Sequence, residues 1–575
     1  LAVFSQNGGI TTNAFANMLL GSTSSYQQDN KDVLQNIGYK TFQFYGQDSW
    51  KIKPRLTLEY GLRVAHLGAW TDREGIGLAV FDPVKYKDNP DLPGVSWHDL
   101  DKSIPVSGRN VDTLFWMPRI GFAYDIFGSG KTVLRGGAGI YYFNEAQGSY
   151  SAAAATAGGK RGTTLTNLTL AEIENQNPAG LPPSDITVVD PNDSKQPRTI
   201  SYSLTVTQML PLGIQFEASY VGNHSNFMSN DGKSNANYIP LGSLYLDSNG
   251  IPLANPGSDN DAALRRLNNL YGLNYGAINL IQHNTYSNYN GLHILASRQI
   301  GRVNFSTSYT FSKALGVRGI NGVGGGLTDT NLSLGRDRAY GPLGLDRTHV
   351  FSLAYVVNLP SFGKNYFKNN RLARGVLDGW EMTGISQIAS GPPIQAYNSN
   401  FGLSFTYTGF PEHYIGYNQR LVMGSTDFGL NPLLTCDPRS GLGNDQYMNL
   451  NCFAPPVQLV QNGGTYDTKL ITNGPLVEPY AKGPAFFNND LSVFKNWELT
   501  ERKKMQFRIS AFNLTNTPLK SLTTANTLLN YQFTRDPATG NVTGAWDAGT
   551  QANFGRFTDT KFGKRTIQLA IKFFF

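Results

Sequence analysis

Apolar residues along this chain return at every second position, over windows long enough to make extended strands. In "PRLTLEYGLRVA", Leu56, Leu58, Tyr60, Leu62 and Val64 share one parity, opposite Thr57, Glu59, Gly61, Arg63 and Ala65. Alternation with one apolar face marks a strand seated between an apolar phase and a wet one. Ile120, Phe122, Tyr124 and Ile126 repeat it, and Leu134, Ala138, Ile140 and Tyr142 follow. Ile200, Tyr202, Leu204 and Val206 stand against Ser201, Ser203, Thr205 and Thr207; Phe305, Thr307, Tyr309 and Phe311 stand against Asn304, Ser306, Ser308 and Thr310. The chain finishes the same way: Ile567, Leu569, Ile571, Phe573 and Phe575 share a face, and only Phe574 breaks the polar one.

About fourteen such strands are predicted, each near or above the ~9–11 residues a tilted strand needs to cross a bilayer. Ordinary strands average ~5–6 residues, so a soluble sandwich is a poor fit. Tight turns are expected at Lys53-Pro54, Gly128-Ser129-Gly130, Pro211-Leu212-Gly213, Gly301 and Thr500-Glu501-Arg502. Proline's fixed φ and glycine's freedom suit those positions. "THVFSLAYVVNLP" and "GWEMTGISQIASGPP" form a looser pair. The alternate connections are long and rich in Gly, Asn, Asp, Ser and Pro: roughly 68–111, 145–197, 224–285, 314–346, 399–484 and 516–562. Long loops at one end and short turns at the other are the habit of outer-membrane barrels. The fold class expected is therefore all-β: a transmembrane antiparallel barrel with short periplasmic turns and long extracellular loops. Phe573 and Phe575 then serve as a C-terminal outer-membrane signal in the interfacial girdle.

Composition agrees. The 575 residues hold 62 Gly, 29 Tyr, 33 Phe and 7 Trp, with 15% charged side chains. Mean hydropathy is -0.30, too polar for a helical membrane protein, and no apolar run approaches the ~20 residues of a transmembrane helix. A barrel hides its membrane faces by alternation, so neither fact argues against it. The net charge of +7 is scattered, which leaves no footprint for nucleic acid. Cys436 and Cys452, in "CDPRSGLGNDQYMNLNC", suit one disulfide pinning a loop in an oxidising compartment. Two free thiols are the alternative reading. The start, "LAVFSQNGGI", lacks an initiator Met and a signal segment, so a fragment is expected rather than a processed chain.

Motifs for chemistry are few. "GSGKT" (Gly128 to Thr132) resembles part of a phosphate loop, but Asp125 stands where the first Gly belongs, so a hairpin turn is expected. The seven histidines are dispersed, and no nucleophile elbow or metal-ligand spacing appears. No catalytic residue, metal or cofactor is assigned. "DSNG" (Asp247 to Gly250) and "GSDNDA" (Gly257 to Ala262) fall short of a full calcium loop. One loop gathers Phe401, Phe405, Tyr407, Phe410, Tyr414 and Tyr417. Of these, Phe405, Tyr407, Tyr414 and Tyr417 are candidate ligand-stacking residues at a loop-formed mouth, with self-packing of the loop as the alternative.

From "YGQDSWKIKPRLTLEYGLRVA" onward the sequence resembles the barrel of TonB-dependent outer-membrane transporters, in particular the Oar-like group. "PRIGFAYDIFGSGKTVLRGGAGIYY", "DRTHVFSLAYVVNLP", "DGWEMTGISQIASGPP" and "NDLSVFKNWELTERKKMQFRISAFNLTN" carry the resemblance across nearly the whole chain. It implies the C-terminal part of a twenty-two-stranded barrel, with plug and TonB box on a preceding segment. Implied partners are outer-membrane lipid and lipopolysaccharide, the barrel assembly machinery, the TonB complex and a small solute or oligomer. A departure is Ile571, where a terminal signal often has Gly. A passive porin or fatty-acid-type channel of about fourteen strands and a secreted β-rich adhesion protein are the alternatives. Oligosaccharide, peptide and metal chelate all remain open as cargo.

Overall fold

The computed structural model describes the chain except for residues 1, 6–9, 12, 31, 113, 145–147, 177–183, 233, 241–242, 244–260, 318–339, 396–403, 409–424, 426, 428–431, 444, 456–476, 499, 501–502, 522, 536–537, 540–541 and 558. Thirteen long strands form one antiparallel meander in chain order: β1 (Thr41–Lys53), β2 (Leu56–Leu67), β3 (Leu114–Asp125), β4 (Thr132–Tyr142), β5 (Arg198–Leu210), β6 (Ile214–Met228), β7 (Thr285–Arg298), β8 (Val303–Gly316), β9 (His349–Asn358), β10 (Trp380–Ala389), β11 (Phe486–Glu498), β12 (Lys504–Phe512) and β13 (Thr566–Phe574). The two-residue strand Gly341–Pro342 pairs with β8 and makes the sheet fourteen-stranded. Among the described residues β1 pairs only with β2, and β13 only with β12.

Register keeps the alternation in phase across the sheet. One row runs Trp50, Leu58, Phe122, Gly136, Leu204, Tyr220, Leu292, Phe311 from β1 to β8. The adjacent row on the other face runs Ser49, Glu59, Gly121, Gly137, Ser203, Val221, Gly291, Ser312. A slip of one residue in any strand would mix these faces. On the apolar face Trp116, Ile120 and Leu569 are 59%, 62% and 65% exposed, so among the described residues no second sheet or helix layer covers them. Hydrocarbon does.

The buried cores lie mainly in the long connections. The turns at Pro54-Arg55, 126–131, 211–213 and 299–302 share one end of the sheet with Thr500 and Lys503, and the described parts of the long connections share the other. Three of the long ones (68–113, 143–197 and 229–284) fold together. Their strands Val80–Phe81, Val95–Ser96, Ile186–Val189, Ser234–Asn235 and Ile278–Ile281 make a five-stranded sheet. Helix α1 (Gly148–Ala157) joins it, and Leu92, Val95, Ile186, Val188 and Ile278 are sealed inside. Two later connections (390–485 and 513–565) form a second core around Ile394, Met448, Phe453, Leu529 and Phe554. Arg265 Nη1, 2.9 Å from Asp427 Oδ2, ties the second group to the first.

One short turn expected from sequence is not short. Between β9 and β10, residues 359–379 carry helices α2 (Phe362–Tyr366) and α3 (Arg371–Leu377). Asn370 caps α3 by accepting from the Ala373 N–H at 3.0 Å. Gly363 sits where a Cβ would lie 2.6 Å from Arg374 Cα, so only glycine lets the helices approach this closely.

Candidate functional site

The polar face of β1 to β6 holds a groove of about 960 Å³. Glycine gives it depth. Gly121 and Gly137 stand opposite each other on β3 and β4, and Gly61 and Gly139 flank Arg119 on either side. Their backbone is extended rather than left-handed (none has positive φ), so these glycines serve space and not a turn. Around this floor stand Gln47, Ser49, Glu59, Arg119, Arg135 and Tyr141. With glycine on both neighbouring strands, the Arg119 guanidinium is free to lie over the Tyr141 ring, 4.7 Å from its centroid. Its Nε–H finds no acceptor, and neither Arg119 nor Arg135 forms an ion pair among the described residues. Ser201, Ser203 and Thr205 extend the lining along β5 with hydroxyls. Two guanidinium groups, one carboxylate and a row of hydroxyls can hydrogen-bond a polar or anionic solute. They make no nucleophile–base pair.

Above the sheet the loop layer is fixed by buried polar links. Asp193 Oδ2 accepts from the His283 N–H at 2.8 Å and lies 2.6 Å from His283 Nδ1. Arg109 Nη1 approaches the same oxygen at 3.5 Å, and Tyr150 Oη lies 3.1 Å from His283 Nε2. Burial pushes the Asp193 carboxyl up, but His283 and Arg109 outweigh it and hold it below the usual range. Tyr275, buried with its hydroxyl donating to Pro93 O at 2.9 Å, is pushed up to about 12 by burial.

Residues 2–568 match the family model described as outer membrane beta barrel domain. The chain belongs to that family. The outer membrane is therefore its location. Several solved outer-membrane structures are similar. The outer membrane transporter YddB from Escherichia coli is 9% identical, with 93% of this chain and 54% of that one covered and a TM-score of 0.37. The siderophore receptor PirA from Acinetobacter baumannii is 9% identical, covering 93% and 45%, with a TM-score of 0.36. The ferric-catecholate import receptor Fiu from E. coli K12 is 9% identical, covering 93% and 44%, with a TM-score of 0.34. The chain spans about half the length of these structures. No curated protein matches it.

Within this barrel the residues singled out from sequence fall as follows. Cys436 and Cys452 are bonded to each other, with Cα atoms 4.8 Å apart. Phe405 and Tyr407 lie on the strand Ser404–Thr408, which runs parallel to Leu528–Arg535 with Tyr407 opposite Tyr531. Their side chains, and Phe401, Phe410, Tyr414 and Tyr417 altogether, lie outside the described residues, as does Asp247 to Gly250. Of Gly257 to Ala262, only Asp261 and Ala262 are described, opening the short helix Asp261–Leu264. Phe573 faces outward opposite Met505, and Phe575 follows the end of β13. "GSGKT" is a hairpin: Asp125 accepts from the Gly128 and Gly130 N–H groups at 2.9 and 2.8 Å. Among the described residues no three His, Cys, Asp or Glu side chains group as metal ligands. The groove itself was missed from sequence. Its signal was available: glycines at polar-face positions 61, 121, 137 and 139, beside Arg119 and Arg135.

Proposed function

We propose that this barrel is the C-terminal part of an outer-membrane import receptor, which captures a scarce solute in its loop layer and passes it along the polar interior with TonB-derived energy. The groove floored by Gly61, Gly121, Gly137 and Gly139 carries the reading, because it is a polar, spacious path on the face that a barrel turns to its lumen. A co-folded loop layer at one end supports capture before passage. Energised gating and the barrel assembly machinery enter from the sequence resemblance. The work is binding and transfer rather than bond breaking. A self-contained pore of about fourteen strands is less well supported, since β1 and β13 are both edges of the described sheet.

A deletion strain complemented with the parent or with Arg119→Ala/Arg135→Ala tests this reading on a panel of oligosaccharides, peptides and ferric chelates. The parent should restore uptake of one class, and a protonophore should abolish it. The double variant should slow it several-fold at equal outer-membrane levels. Uptake indifferent to both perturbations would refute the proposal.

A further inference from the structure

We propose that residues 359–379, between β9 and β10, form a lipid-headgroup anchor at the short-turn rim, lying on anionic phospholipid of the adjoining leaflet. The helices fold outward, onto the apolar face of the sheet. Trp380 and Lys495 are opposite each other on that face, in register with Phe507 and Ile571. Trp497 shares it with Met505 and Phe573. These residues grip α3 from outside. Trp380 Nε1 donates to Val376 O at 2.7 Å, and Trp497 Nε1 donates to Gly375 O at 2.9 Å. Lys495 Nζ donates to Asp378 O and lies 5.6 and 5.3 Å from the Trp380 and Trp497 ring centroids. α3 is therefore continuous with the surface that hydrocarbon covers.

Its free surface has the chemistry of an interface. Leu372 and Val376, one turn apart on α3, are 83% and 63% exposed. Phe362 and Tyr366 on α2 are also exposed, with rings stacked at 6.5 Å, and Phe367 follows them. With Leu377 also exposed, a turn in water has no reason to show six large apolar side chains in sixteen residues (362–377), whereas a headgroup layer accommodates them. Lys364, Lys368, Arg371 and Arg374 are interleaved, all exposed and without an ion pair among the described residues. The sole acid of the segment, Asp378, is engaged inward, its Oδ1 accepting from the Gly363 and Lys364 N–H groups at 2.7 and 3.2 Å. Four cations beside exposed aromatics complement phosphate headgroups above acyl chains.

The test uses the full-length protein reconstituted into vesicles of phosphatidylcholine, with or without phosphatidylglycerol. An environment-sensitive fluorophore is placed at Leu372→Cys, with Ser129→Cys in the β3–β4 turn as control; the two cysteines of this chain are bonded to each other and do not take the label. The label at 372 should be blue-shifted and several-fold better quenched by lipid-borne spin labels than by aqueous iodide, and the label at 129 the reverse. Phosphatidylglycerol should strengthen the effect at 372. A Lys364→Gln/Lys368→Gln/Arg371→Gln/Arg374→Gln background should remove that dependence. Iodide access at 372 equal to that at 129, shielding from both quenchers (a protein partner), or a dependence unchanged by the four substitutions would overturn the proposal. None of these readouts involves transport, so failure here leaves the import reading untouched.

Discussion

Asp193 should be the residue whose loss most damages the loop layer. It lies in the 143–197 connection yet binds His283 of the 229–284 connection and Arg109 of the 68–113 connection, so one carboxylate joins three chain segments. The side chains are almost fully enclosed: Asp193 is 7% exposed, Arg109 3% and His283 2%. In Asp193→Ala, Arg109 still donates to the main-chain oxygens of residues 193 and 195, at 3.1 and 2.7 Å. Its charge, however, is buried without a counter-ion, and the His283 and Lys195 N–H groups lose their acceptor. Removing one member of a buried pair costs about 3–5 kcal/mol. At 1.4 kcal/mol per tenfold, local opening should become roughly 10²- to 10⁴-fold more frequent. Hydrogen exchange on Ile186–Val189 and Ile278–Ile281, whose parallel pairing lies beside the site, reads this directly. Asp193→Asn, which keeps an acceptor but no charge, should fall between parent and alanine. Unchanged protection in Asp193→Ala would show that the apolar core holds the layer alone.

Three further outcomes are expected. Because Asp193 is held below the usual carboxylate range, its contribution is complete above the unfolded value of about 3.9 and is lost as pH falls through the lower folded value. Protection of the same amides should therefore be flat from neutral to about pH 4 and drop below it, with the drop diminished in Asp193→Asn. Cys436→Ser/Cys452→Ser reopens a loop of sequence separation 16, worth about 3 kcal/mol by chain entropy, and should speed proteolysis between residues 434 and 454; equal cleavage rates would mean the surrounding core suffices. If the loop aromatics stack on cargo, Tyr407→Ala/Tyr414→Ala should lower uptake at normal outer-membrane levels, and normal uptake would count against that role.

What the sequence disclosed is governed by periodicity. The strands could be read because each faces two solvents, and Leu56 to Val64 or Ile567 to Phe575 carry that contrast in every second residue. The loop cores were hidden because their members come in isolation: Leu78, Leu92, Val95 and Ile186 lie in Gly/Asp/Pro-rich stretches with no repeat. Only long-range pairing, such as Ile186 with Ile278, reveals that they share an interior. The 359–379 connection misled differently. "SFGKNYFKNNRLARGVLDG" has too few residues per helix to show a clean 3.6-residue period, so its two short helices give no sequence signal and the connection counts among the short ones.

The two kinds of apolar residue have consequences for how the molecule holds together. In the sheet, Trp116, Ile120 and Leu569 gain little from folding in water, because folding leaves most of their surface exposed. Their stabilisation arises only when a bilayer supplies the second phase, while the ladder of main-chain hydrogen bonds makes passage through hydrocarbon tolerable. In the loop layer, Leu78, Ile278 and Met448 are fully enclosed by their own chain and are stabilised wherever water is the solvent. The chain thus has a membrane-dependent body and water-stable outer connections. Those connections can order themselves without drawing on lipid, which is why a long polar insertion between membrane strands does not have to be a disordered one.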